Sequence, residues 1–123
     1  MIDFQPFKLE DGIPIYLQII RYLKQGVIAG TISNQDELPS RRFLSALLGI
    51  NPNTVQKAYR MLEEEDLIES RSGAKSYMKL DEAKITSIRQ ELLETHALGA
   101  IRDLQQMGIT KEEILLLIEK YWN

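Results

Sequence analysis

The sequence contains no cysteine and a single histidine, His96. The first absence excludes a disulfide framework, a thiolate nucleophile and thiolate metal ligands, and the second argues against a zinc site of usual composition. No apolar run approaches the roughly 20 residues that cross a bilayer. The first residues, with Asp3, Pro6, Glu10 and Asp11, lack the basic and apolar regions of a signal peptide. A soluble, cytoplasmic protein with no membrane partner is expected. Positive charge is also short, with 15 Lys and Arg against 18 Asp and Glu and a sequence pI near 5.2. That balance argues against coating nucleic acid by bulk charge, and leaves local recognition to the placement of individual side chains. Missing too are a glycine-rich phosphate loop, a nucleophile-base set and metal-ligand spacing, so the chain does not read as an enzyme and no cofactor is expected.

What is present is a chain of 123 residues, 44% hydrophobic, long enough for one domain of ordinary size with a small appendage. Its organising stretch runs from Leu38 to Leu62. Ser40 after Pro39 starts a helix, Leu44, Leu47 and Leu48 recur at helical spacing, Gly49 stops it, and Asn51-Pro52 starts another. Two short helices with a tight turn between them form a helix-turn-helix, whose second helix can lie in a DNA major groove.

Around that stretch the pattern is mostly helical. Residues 1 to 12, with Ile2 and Phe4 broken by Pro6, suit an extended arm or short edge strand. A first helix follows from Pro14, with Tyr16, Ile20, Leu23 and Val27 on one face and Gly30 as its cap. Residues 31 to 39 read as a connecting loop. After the second and third helices, Leu67 to Met78 pattern as a small hairpin with a polar tip, a wing. A long helix from Asp81 to Met107 carries a broad apolar surface, and a last helix starts at a capping box, Thr110 with Glu113. That box also accounts for the Glu112-Glu113 pair, and His96, midway along the long helix, reads as a packed or surface residue. The last helix is more apolar than one solvated face requires, so a partner subunit is its expected cover. The surface would comprise Leu92, Leu93, Ile101 and Leu104 with Ile114, Leu115, Leu117, Ile118, Tyr121 and Trp122.

Six cations fall on the second helix, the third helix or the wing: Arg41, Arg42, Lys57, Arg60, Arg71 and Lys75. They could converge on phosphates, while Glu63, Glu64, Glu65 and Asp66 gather at the far end of the third helix and read as solvated. Lys24 and Lys84 read as solvated as well. Val55, Ala58, Tyr59 and Leu62 form the third helix's core face, Tyr59 as core and not as a stacking platform. On its other side Asn53 and Gln56 have the paired donor and acceptor an adenine edge needs. Thr54 can bond a phosphate or pack against thymine, or simply help to start the helix. Ser40 and Asn51 stand at the two caps.

Leu38-Pro39-Ser40-x-Arg42, Leu48-Gly49-Ile50-Asn51-Pro52-Asn53-Thr54-Val55 and Ala58-Tyr59-x-x-Leu62-Glu63 together resemble the GntR-type winged helix, and Asn51-Pro52-Asn53-Thr54-Val55 is similar to its YtrA subfamily. The resemblance runs from about Pro14 to Met78. It implies a bacterial transcription regulator, usually a repressor, that binds an inverted repeat of double-stranded DNA as a homodimer. By motif match, Arg42, Asn53, Thr54, Gln56, Ser72 and Gly73 would contact DNA. YtrA-like regulators often accompany transporter genes, which makes such genes the expected targets. Gln35 and Asp66 stand where the family often has glycine, and Lys75 replaces the second glycine of the wing.

The expected architecture is therefore mostly α: a winged helix-turn-helix of three helices plus a small β-hairpin wing in residues 1–78, then a two-helix dimerisation segment in residues 79–123. A winged-helix module that binds protein in place of DNA is the second reading, supported only by the acidic pI. Sensing of a small-molecule effector at the dimer interface stays open, with no pocket residues named by the sequence.

Overall fold

Proline at a helix start loses nothing by lacking an amide, and Pro14 stands at such a start. In the computed structural model of the chain, which describes residues 1–71, 73 and 75–123, it is the N-cap of α1 (Ile15–Ala29). The helix buries Ile19, Ile20, Leu23 and Val27, and also Gln18 and Lys24. Gln18 is fully engaged: its Nε2 donates to the carbonyls of Glu10 (2.9 Å) and Ile13 (2.7 Å), and its Oε1 accepts from the Glu10 amide (2.8 Å). Burial of that amide is therefore compatible with stability. Lys24 is not solvated as its charge suggested: it is buried and its Nζ lies 3.3 Å from Glu65 Oε1.

The arm before α1 is extended and forms no strand among the described residues. Ile2 and Phe4 anchor it in the core, the Ile2 amide donates to the Glu37 carbonyl (2.8 Å), and the Tyr22 hydroxyl donates to the Asp3 carbonyl (2.6 Å).

The helix-turn-helix is α2 (Arg41–Leu48) and α3 (Pro52–Glu64). Each cap acts as its residue type requires: Ser40 Oγ accepts from the Phe43 amide at 3.1 Å, and Asn51 Oδ1 from the Asn53 amide at 2.8 Å. Between them Gly49 has φ 66°, a left-handed turn that would cost a residue with a Cβ about 1–2 kcal/mol. Val55, Ala58, Tyr59 and Leu62 bury the inner face of α3, and the Tyr59 hydroxyl donates to the Pro39 carbonyl at 2.7 Å, joining α3 to the residue before α2's cap.

The wing is an antiparallel pair, β1 (Ile68–Arg71) and β2 (Lys75–Met78), in register from Ile68 opposite Met78 to Arg71 opposite Lys75. The segment expected to be only a loop before α2 runs along β2 as a further rung. Glu37 bridges Tyr77, the Leu38 amide donates to the Ser76 carbonyl, and the Met78 amide to the Asp36 carbonyl, both at 2.9 Å. Nothing in its side chains alternates, because the pairing is made by backbone alone. It also covers a sheet edge that would otherwise be open.

Two compact units divide the chain, Met1–Ile88 and Arg89–Asn123. The break falls inside α4 (Glu82–Gln106), whose first turn is capped by Asp81 Oδ1 accepting from the Lys84 amide at 2.8 Å. In the second unit, Gly108 at φ 77° ends α4 and Thr110 opens α5 (Lys111–Tyr121). Thr110 Oγ1 accepts from the Glu113 amide while Glu113 Oε1 accepts from the Thr110 amide, each at 3.2 Å, so the reciprocal box is complete. No residue of α5 is buried. No helix among the described residues is long and apolar enough to cross a membrane.

Candidate nucleic-acid interface

Asn53, Gln56, Lys57 and Arg60 lie at spacings of three and four residues along α3, so they form one row on the face opposite the buried one. All four are exposed, and Thr54, at the edge of that face, is half-buried. Ser40 and Arg42 are exposed at the start of α2, and Asn51 at the start of α3. Of the wing residues, Arg71, Gly73 and Lys75 are exposed, whereas Ser72 lies outside the described residues.

The six cations differ in what they already hold. Arg41 donates from Nη2 to Glu63 Oε1 at 3.4 Å, with its guanidinium 5.2 Å from the centre of the Tyr59 ring. Lys57 Nζ sits 4.0 Å from the centre of the Tyr16 ring on α1. Arg71 meets Gln35, Glu69 and the Tyr77 ring. Arg42, Arg60 and Lys75 have no side-chain partner among the described residues. A cation free of internal partners can approach a phosphate without first breaking an ion pair.

The acids expected to be solvated are instead joined to distant groups. Glu63 Oε1 accepts from Arg41 and from Ser70 Oγ (2.9 Å), which ties α2, α3 and β1 together. Asp66, with φ 61°, accepts from Lys79 Nζ (2.9 Å) and Lys84 Nζ (3.3 Å); Lys84 also donates to the carbonyls of Asp66 (2.6 Å) and Lys79 (3.1 Å). Lys84 is therefore a clamp between the start of α4 and the turn after α3. The Lys79 hydrogen bond, then that of Lys84, holds the Asp66 carboxyl below the usual carboxylate range. Gln35, Glu63 and Tyr16, absent from the residues singled out by motif, are thus the groups that orient the candidate contacts. For Gln35 a signal existed, since it replaces a family glycine and takes φ 71°.

A helix-turn-helix that offers one row of hydrogen-bonding side chains, flanked by a hairpin wing, defines the class of winged-helix transcription regulators. Residues 15–77 match the family described as bacterial regulatory proteins, gntR family. The chain is 35% identical over 120 residues to the HTH-type transcriptional repressor YtrA of Bacillus subtilis (strain 168), covering 93% of this chain and 86% of that one. A GntR family transcriptional regulator from Listeria monocytogenes superposes with a TM-score of 0.80 at 32% identity, over 91% of this chain and 98% of the other. AraR(DBD) in complex with operator ORX1 shares the fold, with a TM-score of 0.50 at 23% identity over 63% and 94% of the two chains. This chain belongs to the GntR family of transcription regulators, and it is a DNA-binding regulator and not an enzyme.

Proposed function

We propose that the protein acts in the cytoplasm as a homodimeric repressor on an inverted-repeat operator, with residues 1–78 holding DNA and residues 79–123 pairing the subunits. The observation that carries this reading is the exposed row on α3. Asn53 and Gln56 offer the bidentate pattern that reads adenine, Thr54 a phosphate or a thymine methyl, and Lys57 and Arg60 a charge beyond them. Arg42, Lys75 and the backbone at Ser72 and Gly73 would hold the phosphates on either side, with the Ser40 and Asn51 caps at the helix N-termini nearest the groove. Arg41 and Arg71 border the same face.

The uncovered apolar side chains support the dimer. Leu93, Ile101, Leu115, Leu117, Ile118, Tyr121 and Trp122 are exposed, and Leu92, Leu104 and Ile114 half-buried. A two-fold pair would set the recognition helices about 34 Å apart, one DNA turn, or a multiple of it. Repression is the activity named for the YtrA relative, and transporter genes are the targets that the subfamily resemblance favours.

The test is selection of bound duplexes from the source genome, beginning with DNA upstream of the protein's own gene. Enrichment of one inverted repeat, with half-sites spaced by whole turns, is the expected result. A protein that enriches no sequence even at low salt refutes the reading.

A further inference from the structure

Gln35 adopts a left-handed backbone, φ 71°, that a residue with a Cβ holds only against strain. Its side chain makes contacts that glycine could not. Nε2 donates to the Met78 carbonyl at 3.4 Å, a carbonyl that also accepts from the Gln35 amide at 2.9 Å, and Oε1 accepts from Arg71 Nη2. The same Nη2 donates to Glu69 Oε1 at 2.6 Å, and the guanidinium lies 4.3 Å from the centre of the Tyr77 ring. One guanidinium thus joins the α1–α2 segment to both strands of the wing. A fork so engaged has its direction set by the protein. The Glu69 carboxyl is held below its usual range, first by the Arg71 hydrogen bond.

Arg71 also stands directly opposite Lys75 in the hairpin. Like charges in that position repel. With Arg71 paired to Glu69, Lys75 is the cation of the pair left without a partner among the described residues.

We infer that Gln35 and Arg71 form a latch that fixes the wing against the α1–α2 segment, and that Arg71 serves DNA binding as a positioning residue while Lys75 supplies the phosphate contact. The inference rests on the DNA-binding reading above. It assigns different work to two cations that charge alone does not distinguish.

Gln35→Gly, Arg71→Met, their double variant and Lys75→Met test it against the parent. In the free protein, Gln35→Gly relieves the backbone strain while opening the latch, so wing amides exchange faster although the melting temperature does not fall. On a duplex recovered by the selection, Gln35→Gly and Arg71→Met each weaken binding about 3- to 10-fold, the size of one lost hydrogen bond. The double variant binds no worse than either single one, and all three keep the parent's dependence on salt. Lys75→Met instead lowers the slope of log affinity against log salt by about 0.9.

An Arg71→Met slope reduced by one charge, with Gln35→Gly binding as the parent does, overturns the positioning role. Unchanged amide exchange in both single variants overturns the latch itself. If the parent binds no selected duplex, the positioning role falls with the DNA-binding reading, and the exchange comparison still decides the latch.

Discussion

Replacing Tyr59 by phenylalanine removes one oxygen from the centre of the winged unit and nothing else. The ring is fully buried, and its hydroxyl donates at 2.7 Å to the carbonyl of Pro39, itself buried. Phenylalanine fills the same apolar space but leaves that carbonyl without its donor, which costs about 1–3 kcal/mol. For a unit the size of Met1–Ile88, each kcal/mol moves the melting temperature by about 4–8 °C. Urea and thermal unfolding followed by circular dichroism should therefore show Tyr59→Phe clearly less stable at neutral pH.

The alkaline branch gives a second, independent reading of the same contact. Burial pushes the Tyr59 hydroxyl above its ordinary value, with Arg41 pulling weakly the other way. The folded protein then keeps a proton that the unfolded chain loses near pH 10, so this contribution is complete below that pH and disappears as pH rises further. The parent should lose up to about 1.4 kcal/mol per pH unit there through this one group, and Tyr59→Phe should lack that slope. Equal stability at neutral pH together with parallel alkaline profiles would refute the reasoning.

Asp66→Asn removes a carboxylate whose titration lies below the usual range. Its stabilisation is present above about pH 4 and lost as pH falls through the depressed value, so the variant should show a flatter acid branch in unfolding experiments across that range. Arg42→Ala, which breaks no internal pair, should leave the fold intact and lower the salt slope of operator binding by about one, whereas an unchanged slope would remove Arg42 from the phosphate contacts. Ile118→Asp places a charge in the exposed apolar row of α5; sedimentation should shift from dimer to monomer, and a parent that is monomeric at tens of micromolar would end the dimer proposal.

Local devices were the legible part of this chain. Ser40, Asn51 with Pro52, and Thr110 with Glu113 act within a single turn of their own helices, so residue type and spacing are enough to recognise them. The identity of α3's outward row was legible for the same reason, since a period of 3.6 separates it from Val55, Ala58, Tyr59 and Leu62. Contacts that depend on segments far apart in sequence were not legible. Arg41 meets Glu63 across 22 positions and Arg71 meets Gln35 across 36, and neither partner advertises the other. Hence the acids after α3 read as solvated and all six cations read alike. Lys24 misled in another way: a long apolar stem allows burial while the amine reaches Glu65, so charge alone overstates exposure. The rung at Glu37 was hidden because backbone pairing needs no side-chain pattern.

The uncovered state of α5 has a consequence for how the protein is made. Isolated helices shorter than about 12–15 residues are marginal in water, and α5 has 11 residues, none of them buried within the chain. Its capping box contributes a local start, while the apolar row from Leu115 to Trp122 gains nothing until another surface meets it. Ordering of this helix and association of chains are then one event, driven by concentration and not by sequence alone. A newly synthesised copy would complete its last helix only on finding a second, and dilution would return both helices to a fraying equilibrium together.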